Sequence, residues 1–164
     1  MDQNIPTSRR RLLGWLGLSA AFPVLAACGS SAEAKSFPVK YSDAEWRKRL
    51  TAEQYAILRK KGTEVPGTSP LLKEKRRGTF ACAGCANPLY SSTTKYESGT
   101  GWPSFWQVLP NATKTSVDFE TGYPRTEVHC ARCGGHLGHV FNDGPKPTGK
   151  RYCMNGDAMV FVPA

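Results

Sequence analysis

The chain has 164 residues, of which 40% are hydrophobic, and a formal net charge of +9. This length suits one modest globular domain and an export segment, with room for a single hydrophobic core. The charges are scattered and their densest run, Lys73 to Arg77, is interrupted by Glu74, so we expect no nucleic-acid partner, because such proteins carry a clustered basic face.

The first 34 residues are typical of an export signal with a short tether. Ser8 to Leu13 contains three arginines and opens an apolar stretch of 16 residues, Leu12 to Ala27. A membrane-spanning helix needs ~20 apolar residues, so the stretch fits a signal-peptide core better. The paired arginines resemble a twin-arginine signal. We therefore expect export to the periplasmic face, with residues 35–164 as the folded domain.

The segment can end in two ways. Leu25 to Gly29 resembles a lipoprotein processing box, in which cleavage before Cys28 would leave that cysteine to carry a lipid anchor. Ordinary cleavage after Ala34 also fits, because Ala32-Glu33-Ala34 follows the small-x-small rule, and it would discard Cys28. We favour the lipid anchor, since a cysteine after Leu-Ala-Ala is otherwise unexplained in an exported chain.

Two capping boxes predict short helices near the start of the folded domain. Ser42 is followed three residues later by Glu45, and Thr51 by Gln54; in each pair the two side chains satisfy each other's backbone N–H groups. Gly62 is predicted to stop the second helix. We interpret both helices as packing elements.

From Gly78 onward the pattern changes to short apolar runs broken by Gly, Pro and Asn, which predicts antiparallel strands and turns. These runs are residues 79–81, 88–90, 126–129 and 159–162. The predicted fold class is therefore mainly β (α+β), with antiparallel sheets and short N-terminal helices.

Two Cys-x-x-Cys pairs, Cys82/Cys85 and Cys130/Cys133, match the ligands of a structural zinc site, which four thiolates saturate. Two disulfides are the alternative, but a two-residue gap is cramped for a disulfide of normal geometry. The 44 residues between the pairs exceed the usual finger spacing. We therefore predict that zinc pins two distant hairpins together.

Cys153 is left outside this set of four and is free to react. Export favours disulfides, but a twin-arginine route, known for moving folded proteins, would allow zinc to be loaded in the reducing cytosol and would keep the four thiolates protected.

Four stretches of the chain carry a resemblance to one family. They are the two cysteine pairs, Gly99 to Phe105, Gly135 to Pro145, and Thr148 to Asn155. In order and spacing they resemble the methionine-R-sulfoxide reductase B family, from about Asp43 to Val162. The resemblance implies a peptide-methionine (R)-S-oxide reductase that acts on oxidised proteins and is regenerated by a thioredoxin-like or other thiol reductant. We expect a monomer.

The chemistry follows from the residues. A sulfoxide sulfur is weakly electrophilic and its oxygen is a poor leaving group, so reduction needs a soft nucleophile and a proton donor, which a thiolate and an imidazole supply. We expect Cys153 to attack the sulfur and keep the oxygen as a sulfenic acid.

His136 and His139 are the candidate acids, because histidine titrates closest to neutral pH. The resemblance gives His139 the principal role; zinc ligation and a structural pair are the alternatives. Asn155 resembles the family's substrate-orienting asparagine, although Asn155-Gly156 also predicts a tight turn. The family commonly has serine where Gly156 stands, so the local backbone geometry can differ here.

Trp102 resembles the apolar wall for the substrate S-methyl group, where an aromatic–sulfur contact is favourable. Phe141 either lines the same pocket or packs in the core. Many family members have a resolving cysteine where this chain has Thr100, so we predict direct reduction of the sulfenic acid by an external thiol. A zinc-ribbon binding module and a thiol redox sensor are the alternative functions.

Overall fold

A computed structural model describes residues 37–164. The predicted export segment and Cys28 lie outside these residues. No helix in the described stretch combines the length and the apolar character that crossing a bilayer requires.

Both predicted helices are present and begin at their capping boxes. Helix α1 spans Asp43–Arg49, and the Ser42 hydroxyl accepts a hydrogen bond from the Glu45 backbone N–H at 3.3 Å. Helix α2 spans Ala52–Lys60, with Thr51 at its N-cap. The paired capping bonds confirm the sequence prediction.

The predicted end of helix α2 was wrong by one residue. Lys61 adopts the left-handed conformation, with φ 59°, rather than Gly62. The helix end is closed by backbone hydrogen bonds from the Lys61 N–H to the Ile57 carbonyl at 3.1 Å and from the Gly62 N–H to the Ala56 carbonyl at 2.9 Å. The Lys61 ammonium group also forms a 2.9 Å ion pair with Glu127. Gly62 instead lies against the helix backbone, where a Cβ would approach the Ala56 carbonyl oxygen to 3.0 Å.

Nine strands and three short 3-10 turns follow the helices in the described part of the chain. The strands are β1 Gly78–Cys82, β2 Pro88–Ser91, β3 Lys95–Tyr96, β4 Ser104–Phe105, β5 Thr113–Asp118, β6 Arg125–Cys130, β7 His136–Phe141, β8 Arg151–Met154 and β9 Met159–Pro163. They form a three-stranded sheet in the order β2-β1-β9 and a six-stranded sheet in the order β3-β4-β8-β7-β6-β5. Every strand pair is antiparallel, which confirms the predicted fold class.

Side chains of the hydrophobic core pack against strand β8, the strand that carries Cys153. Tyr90 stacks on Phe105 with ring centroids 4.3 Å apart, and both side chains are fully buried. The Tyr90 hydroxyl donates to the Met154 sulfur at 3.0 Å. Because buried side chains pack at crystal-like density, these contacts fix the strand that carries Cys153.

A bulge in strand β7 sets the direction of the two histidines. His136 lies opposite His129 of strand β6, but Gly138 lies opposite Val128, so Leu137 is an extra residue on β7. Side chains alternate between faces in a regular strand, and one extra residue reverses that alternation. His136 and His139 therefore share a face, with ring centroids 5.4 Å apart.

Candidate active site

Cys153 lies on strand β8 between two neighbours that place side chains around it. In the strand register it is opposite Ser104 of strand β4 and His139 of strand β7. Directly opposed side chains on adjacent strands lie on the same face of the sheet. Cys153 is partly exposed, so its sulfur can be reached from solvent.

A cavity of about 120 Å³ opens beside Cys153. Among the residues predicted from sequence, its walls contain Trp102, His139, Phe141, Cys153 and Asn155. The lining also includes Thr63, Arg125 and Gly138. Phe141 therefore lines this pocket rather than only packing in the core, and His136 is absent from the lining.

His139 is held by a carboxylate. Its Nε2 lies 2.5 Å from an Asp118 oxygen, and Arg125 donates to the same oxygen at 2.9 Å. The Asp118 side chain is 3% exposed. The Glu120 backbone N–H and His139 lower the pKa of Asp118 to about 2, so Asp118 is an anion at neutral pH.

Burial lowers the pKa of His139, and the hydrogen bond to Asp118 opposes that effect. The resting imidazole is therefore neutral at neutral pH. With its Nε2 proton donated to Asp118, its Nδ1 is left as a proton acceptor. A cysteine, a histidine and a buried carboxylate in this order can move a proton from the thiol to the imidazole and then to a bound substrate.

His136 has a matching carboxylate of its own. Its Nδ1 lies 2.9 Å from Glu127, which also accepts from Lys61 and Ser116, each at 2.9 Å. Burial raises the pKa of Glu127, but the bonds from His136, Lys61 and Ser116 together hold that pKa below its ordinary value. His136 is thus a buried support that contacts the edge of the His139 ring.

Asn155 begins a 3-10 turn, in which its carbonyl accepts from the Ala158 N–H at 3.2 Å, and does not form the two-residue hairpin turn that Asn155-Gly156 allowed. Its backbone is extended, with φ −64° and ψ 125°, whereas that turn needs positive φ. Its side chain accepts from the Glu64 backbone N–H at 3.0 Å and donates to the Leu137 carbonyl at 3.2 Å. Asn155 is therefore fixed in the cavity wall.

Gly156 has a local structural explanation. A Cβ at this position would lie 1.8 Å from the Ser69 hydroxyl, which occupies the space. The Gly156 backbone N–H donates to the buried Glu64 carboxylate at 2.7 Å. A serine at residue 156 would therefore displace Ser69 from the back of the site.

Trp102 is fixed by Glu64, the residue that also contacts Asn155 and Gly156. Its indole N–H donates to the Glu64 carbonyl at 3.2 Å. The preceding Gly101 has φ +90°, and a Cβ there would approach Pro66 to 2.8 Å, so the loop needs glycine at that position. The rigid indole forms one wall of the cavity.

Thr100 lies beside the reactive sulfur. Its hydroxyl is 3.7 Å from the Cys153 sulfur. It also lies 2.8 Å from the Ser98 hydroxyl, which is 2.7 Å from Ser104. This chain of hydroxyls can donate to a thiolate, but unlike a cysteine it cannot form a disulfide with Cys153.

The other four cysteines form a separate cluster. Cys82 and Cys85 belong to the β1–β2 hairpin, and Cys130 and Cys133 belong to the β6–β7 hairpin, one in each sheet. All four sulfurs lie within 4.8 Å of one another, and the pairs Cys82–Cys133 and Cys85–Cys130 are 3.6 Å apart.

This geometry fits a tetrahedral zinc ion. Zn–S bonds of ~2.3 Å in a tetrahedron put the sulfurs about 3.8 Å apart. The Asn87 amide lies 3.6 Å from the Cys130 sulfur and is placed to support it, as second-layer groups do at metal sites. Neither His136 nor His139 belongs to the cluster, so zinc ligation does not explain the histidines.

Three polar residues of the site were missed from sequence: Glu64, Asp118 and Arg125. For Arg125 a signal was present, because it directly precedes the predicted strand 126–129 and alternates with Glu127 and His129, which places the three on one face if the strand begins one residue earlier. Asp118 stands near exposed Val117 and Phe119, a setting that gave no sign of burial. Glu64 lies in a loop between elements, where sequence patterns carry little information.

Comparison with known proteins identifies relatives along most of the chain. The SelR domain matches residues 50–163. Peptide methionine sulfoxide reductase MsrB of Leptospira interrogans serogroup Icterohaemorrhagiae serovar Lai (strain 56601) is 54% identical over 127 residues, which cover 77% of this chain and 97% of the relative.

Two other organisms provide similar relatives. MsrB of Methanosarcina barkeri (strain Fusaro / DSM 804) is 52% identical over 75% of this chain and 87% of its own length. Peptide methionine sulfoxide reductase B1, chloroplastic, of Arabidopsis thaliana is 53% identical over 72% of this chain and 59% of its own length.

Proposed function

The chain belongs to the SelR domain family of methionine-R-sulfoxide reductases, and we propose that Cys153 is the residue on which its reaction depends. The protein is an oxidoreductase that reduces methionine R-sulfoxide, mainly in proteins, with electrons from a thiol. The observation that carries the proposal for Cys153 is its position, opposite His139 in the strand register and open to the same cavity.

In the first step the Cys153 sulfur attacks the sulfoxide sulfur. His139 takes the thiol proton and passes it to the sulfoxide oxygen, while anionic Asp118 stabilises the imidazolium that forms between these events. The attack forms a bond between the Cys153 and methionine sulfurs. The protonated oxygen then moves from the methionine sulfur to the Cys153 sulfur and gives a sulfenic acid, while the sulfur–sulfur bond breaks and leaves its electron pair on the departing methionine. The cysteine sulfur is oxidised by two electrons and methionine is reduced by two.

The cavity walls bind the substrate side chain. Trp102 offers an aromatic face to the S-methyl group, a contact worth about 0.3 to 1.5 kcal/mol, and Phe141 extends the apolar wall. Asn155, fixed by its bonds to Glu64 and Leu137, orients the sulfoxide. His136 acts behind His139 and keeps the orientation of that ring.

An external thiol or thioredoxin-like protein completes the cycle. It attacks the sulfenic acid, releases water and forms a mixed disulfide that a second thiol resolves. Thr100 places a hydroxyl at the position beside Cys153 that an internal resolving thiol would occupy, so an internal disulfide cannot form there.

The four-cysteine cluster holds zinc in a structural role. The ion would be saturated by Cys82, Cys85, Cys130 and Cys133, so it supplies cross-linking of the two hairpins rather than chemistry. The distances between the four sulfurs support this proposal.

The targeting segment exports the protein to the periplasmic face, where lipid on Cys28 anchors the monomer to a membrane. The motif around Cys28 supports this proposal. Membrane fractionation of cells expressing the native chain or Cys28→Ala tests it: the variant moves to the soluble fraction, and equal membrane recovery of both would reject the anchor.

The enzymatic proposal is tested by turnover of the two sulfoxide epimers. With a thiol reductant, the protein should consume a capped methionine R-sulfoxide and leave the S epimer, and Cys153→Ser should abolish the reaction. Undiminished activity of Cys153→Ser would support a zinc-ribbon binding module. A single oxidation of Cys153 without repeated substrate consumption would support a redox sensor.

A further inference from the structure

A second cavity lies next to the catalytic cavity and shares Thr63 with it as a common wall. Its volume is about 360 Å³, compared with about 120 Å³ for the catalytic cavity. The second cavity is formed between helix α2, the loop that follows it, and the turn after strand β8. Nothing in the proposed reaction uses it.

The floor of this second cavity is apolar and its rim is acidic. Ala56, Ile57 and Val65 supply the apolar surface, and Val65 is 68% exposed. Glu53 and Asp157 stand at the rim, and no lysine or arginine is among the lining residues within the described chain. The acidic rim contrasts with the net charge of +9 of the whole chain.

The nearby cations of helix α2 do not neutralise this rim, because each is engaged elsewhere. Arg59 donates to the Cys133 carbonyl at 3.1 Å, Lys60 lies 3.8 Å from Asp43, and Lys61 lies 2.9 Å from Glu127. Within residues 37–164, Glu53 and Asp157 form no ion pair. Their charges are available to a ligand.

We infer that this second cavity is a binding site for a residue two positions from methionine sulfoxide in a substrate polypeptide, and that it prefers lysine or arginine. The inference rests on the proposed function. An extended polypeptide advances about 3.3 Å per residue and its side chains alternate between two faces. The side chain two positions from the one at Cys153 therefore points to the same face, about 7 Å away, and can pass over the single residue Thr63. The apolar floor accepts the aliphatic stem, and the acidic rim accepts the charged end.

The second cavity is also mechanically linked to the catalytic one. Glu64 lies in its wall, and the backbone of that residue is bonded to both Trp102 and Asn155. The Glu64 carboxylate accepts from the backbone N–H groups of Gly156 and Asp157. A side chain bound in the second cavity therefore lies against Glu64, the residue that holds the sulfoxide-binding side chains of Trp102 and Asn155.

The test is kinetic and uses three capped peptides of equal length, which carry lysine, leucine or glutamate at the positions two residues before and two residues after methionine R-sulfoxide. The native protein should show kcat/KM about 3- to 10-fold higher for the lysine peptide than for the glutamate peptide, as two partly exposed charge pairs allow. The difference should lie in KM, because the charges bind substrate and transition state alike.

The double variant Glu53→Gln/Asp157→Asn should remove this preference. The matched control is Glu120→Gln, which removes an exposed carboxylate from the β5–β6 turn. It should keep the preference.

A single capped methionine R-sulfoxide, too short to reach the second cavity, should be reduced equally by the native protein and the double variant. Equal kcat/KM for all three peptides, best activity on the leucine peptide, or a preference that survives the double variant would overturn the inference. Loss of activity on the single capped residue in the native protein would instead reject the proposed function.

Discussion

At the scale of single residues, one carboxylate oxygen organises the proton-transfer group. Asp118 accepts from Arg125 and contacts His139 through the same oxygen, 2.9 Å and 2.5 Å away. Arg125 also lines the catalytic cavity, and its buried Nε has no hydrogen-bond partner among the described residues. The ring orientation and charge of His139 therefore depend on a residue that lies outside the cavity lining.

Asp118→Asn should preserve the shape of the site and remove its charge. Burial already lowers the pKa of His139, and Asp118 is what raises it, so the substitution lowers that pKa further. The neutral imidazole that accepts the thiol proton then persists to a lower pH, so the fall of kcat/KM on the acid side should move to lower pH. The rate should decrease because the imidazolium formed during the reaction loses its anionic partner. We expect a decrease of about 10- to 100-fold at neutral pH.

The measurement is a pH profile of kcat/KM with a capped methionine R-sulfoxide. Asp143→Asn is the control, because Asp143 pairs with Arg151 on the surface, 61% exposed, and should leave the profile unchanged. An unaltered profile for Asp118→Asn would remove His139 from the role of proton carrier.

Thr100→Cys should change how Cys153 is regenerated, from direct reduction by an external thiol to formation of an internal disulfide. The Thr100 hydroxyl lies 3.7 Å from the Cys153 sulfur, and a modest side-chain rotation brings a thiol at this position to bonding distance. After one turnover without reductant, mass spectrometry should find an added oxygen on Cys153 in the native protein and an internal disulfide in Thr100→Cys. An internal Cys153 disulfide in the native protein would contradict external regeneration.

At the scale of elements, strand β7 depends on a close approach at Gly138. A Cβ there would lie 2.2 Å from the Cys153 carbonyl oxygen, and φ is +153°. The bulge at Leu137 and this glycine together let strand β7 bring His139 opposite Cys153. A larger residue would have to separate strands β7 and β8 at the reactive cysteine.

Gly138→Ala should therefore reduce both stability and activity. We expect at least 2 kcal/mol of lost unfolding free energy, because a clash with backbone cannot be relieved by side-chain rotation. Gly122→Ala is the matched control, since it has φ +83° but nothing within 4 Å of its Cβ position. That control should lose only about 1 kcal/mol and keep its activity.

Urea denaturation and kcat measured on the same preparations give both quantities. Equal losses in the two glycine variants would mean that backbone strain, rather than the close approach of strand β8, explains the effect.

The elements also show what could be predicted from sequence. Capping boxes at Ser42 and Thr51 predicted both helix starts because they act within a few residues of the chain. The bulge at Leu137 was not predicted, because it depends on the register with strand β6 and not on a local pattern. Asp118 was missed for the same reason: it becomes buried only when strand β5 pairs with strand β6.

At the scale of the whole molecule, the two sheets meet at the four-cysteine cluster. Strand β1 of the small sheet and strand β6 of the large sheet each end at a cysteine of the cluster, Cys82 and Cys130. The spacing of the two cysteine pairs predicted two distant hairpins held together, and the hairpins do meet. The pairing of sheets could not be predicted, because it depends on contacts far apart in the chain.

Loss of zinc should uncouple the two sheets and unfold the domain. Structural zinc contributes about 10–16 kcal/mol in small peptides, which is comparable to the roughly 5–15 kcal/mol that stabilises a typical domain. Cys85→Ser removes one ligand and should lower the Tm and the zinc content together. Cys153→Ser, which leaves the cluster intact, should keep one zinc per chain and an unchanged Tm.

A strong chelator should reproduce the effect of Cys85→Ser on the native protein, with zinc release and unfolding following the same time course. Zinc release can be followed with a colorimetric dye and unfolding by circular dichroism. The inactive Cys153→Ser chain should respond to the chelator as the native chain does, because the cross-link and the reaction use different sulfurs. Protein that is purified without zinc, or that keeps its Tm after zinc is removed, would show that packing alone joins the sheets.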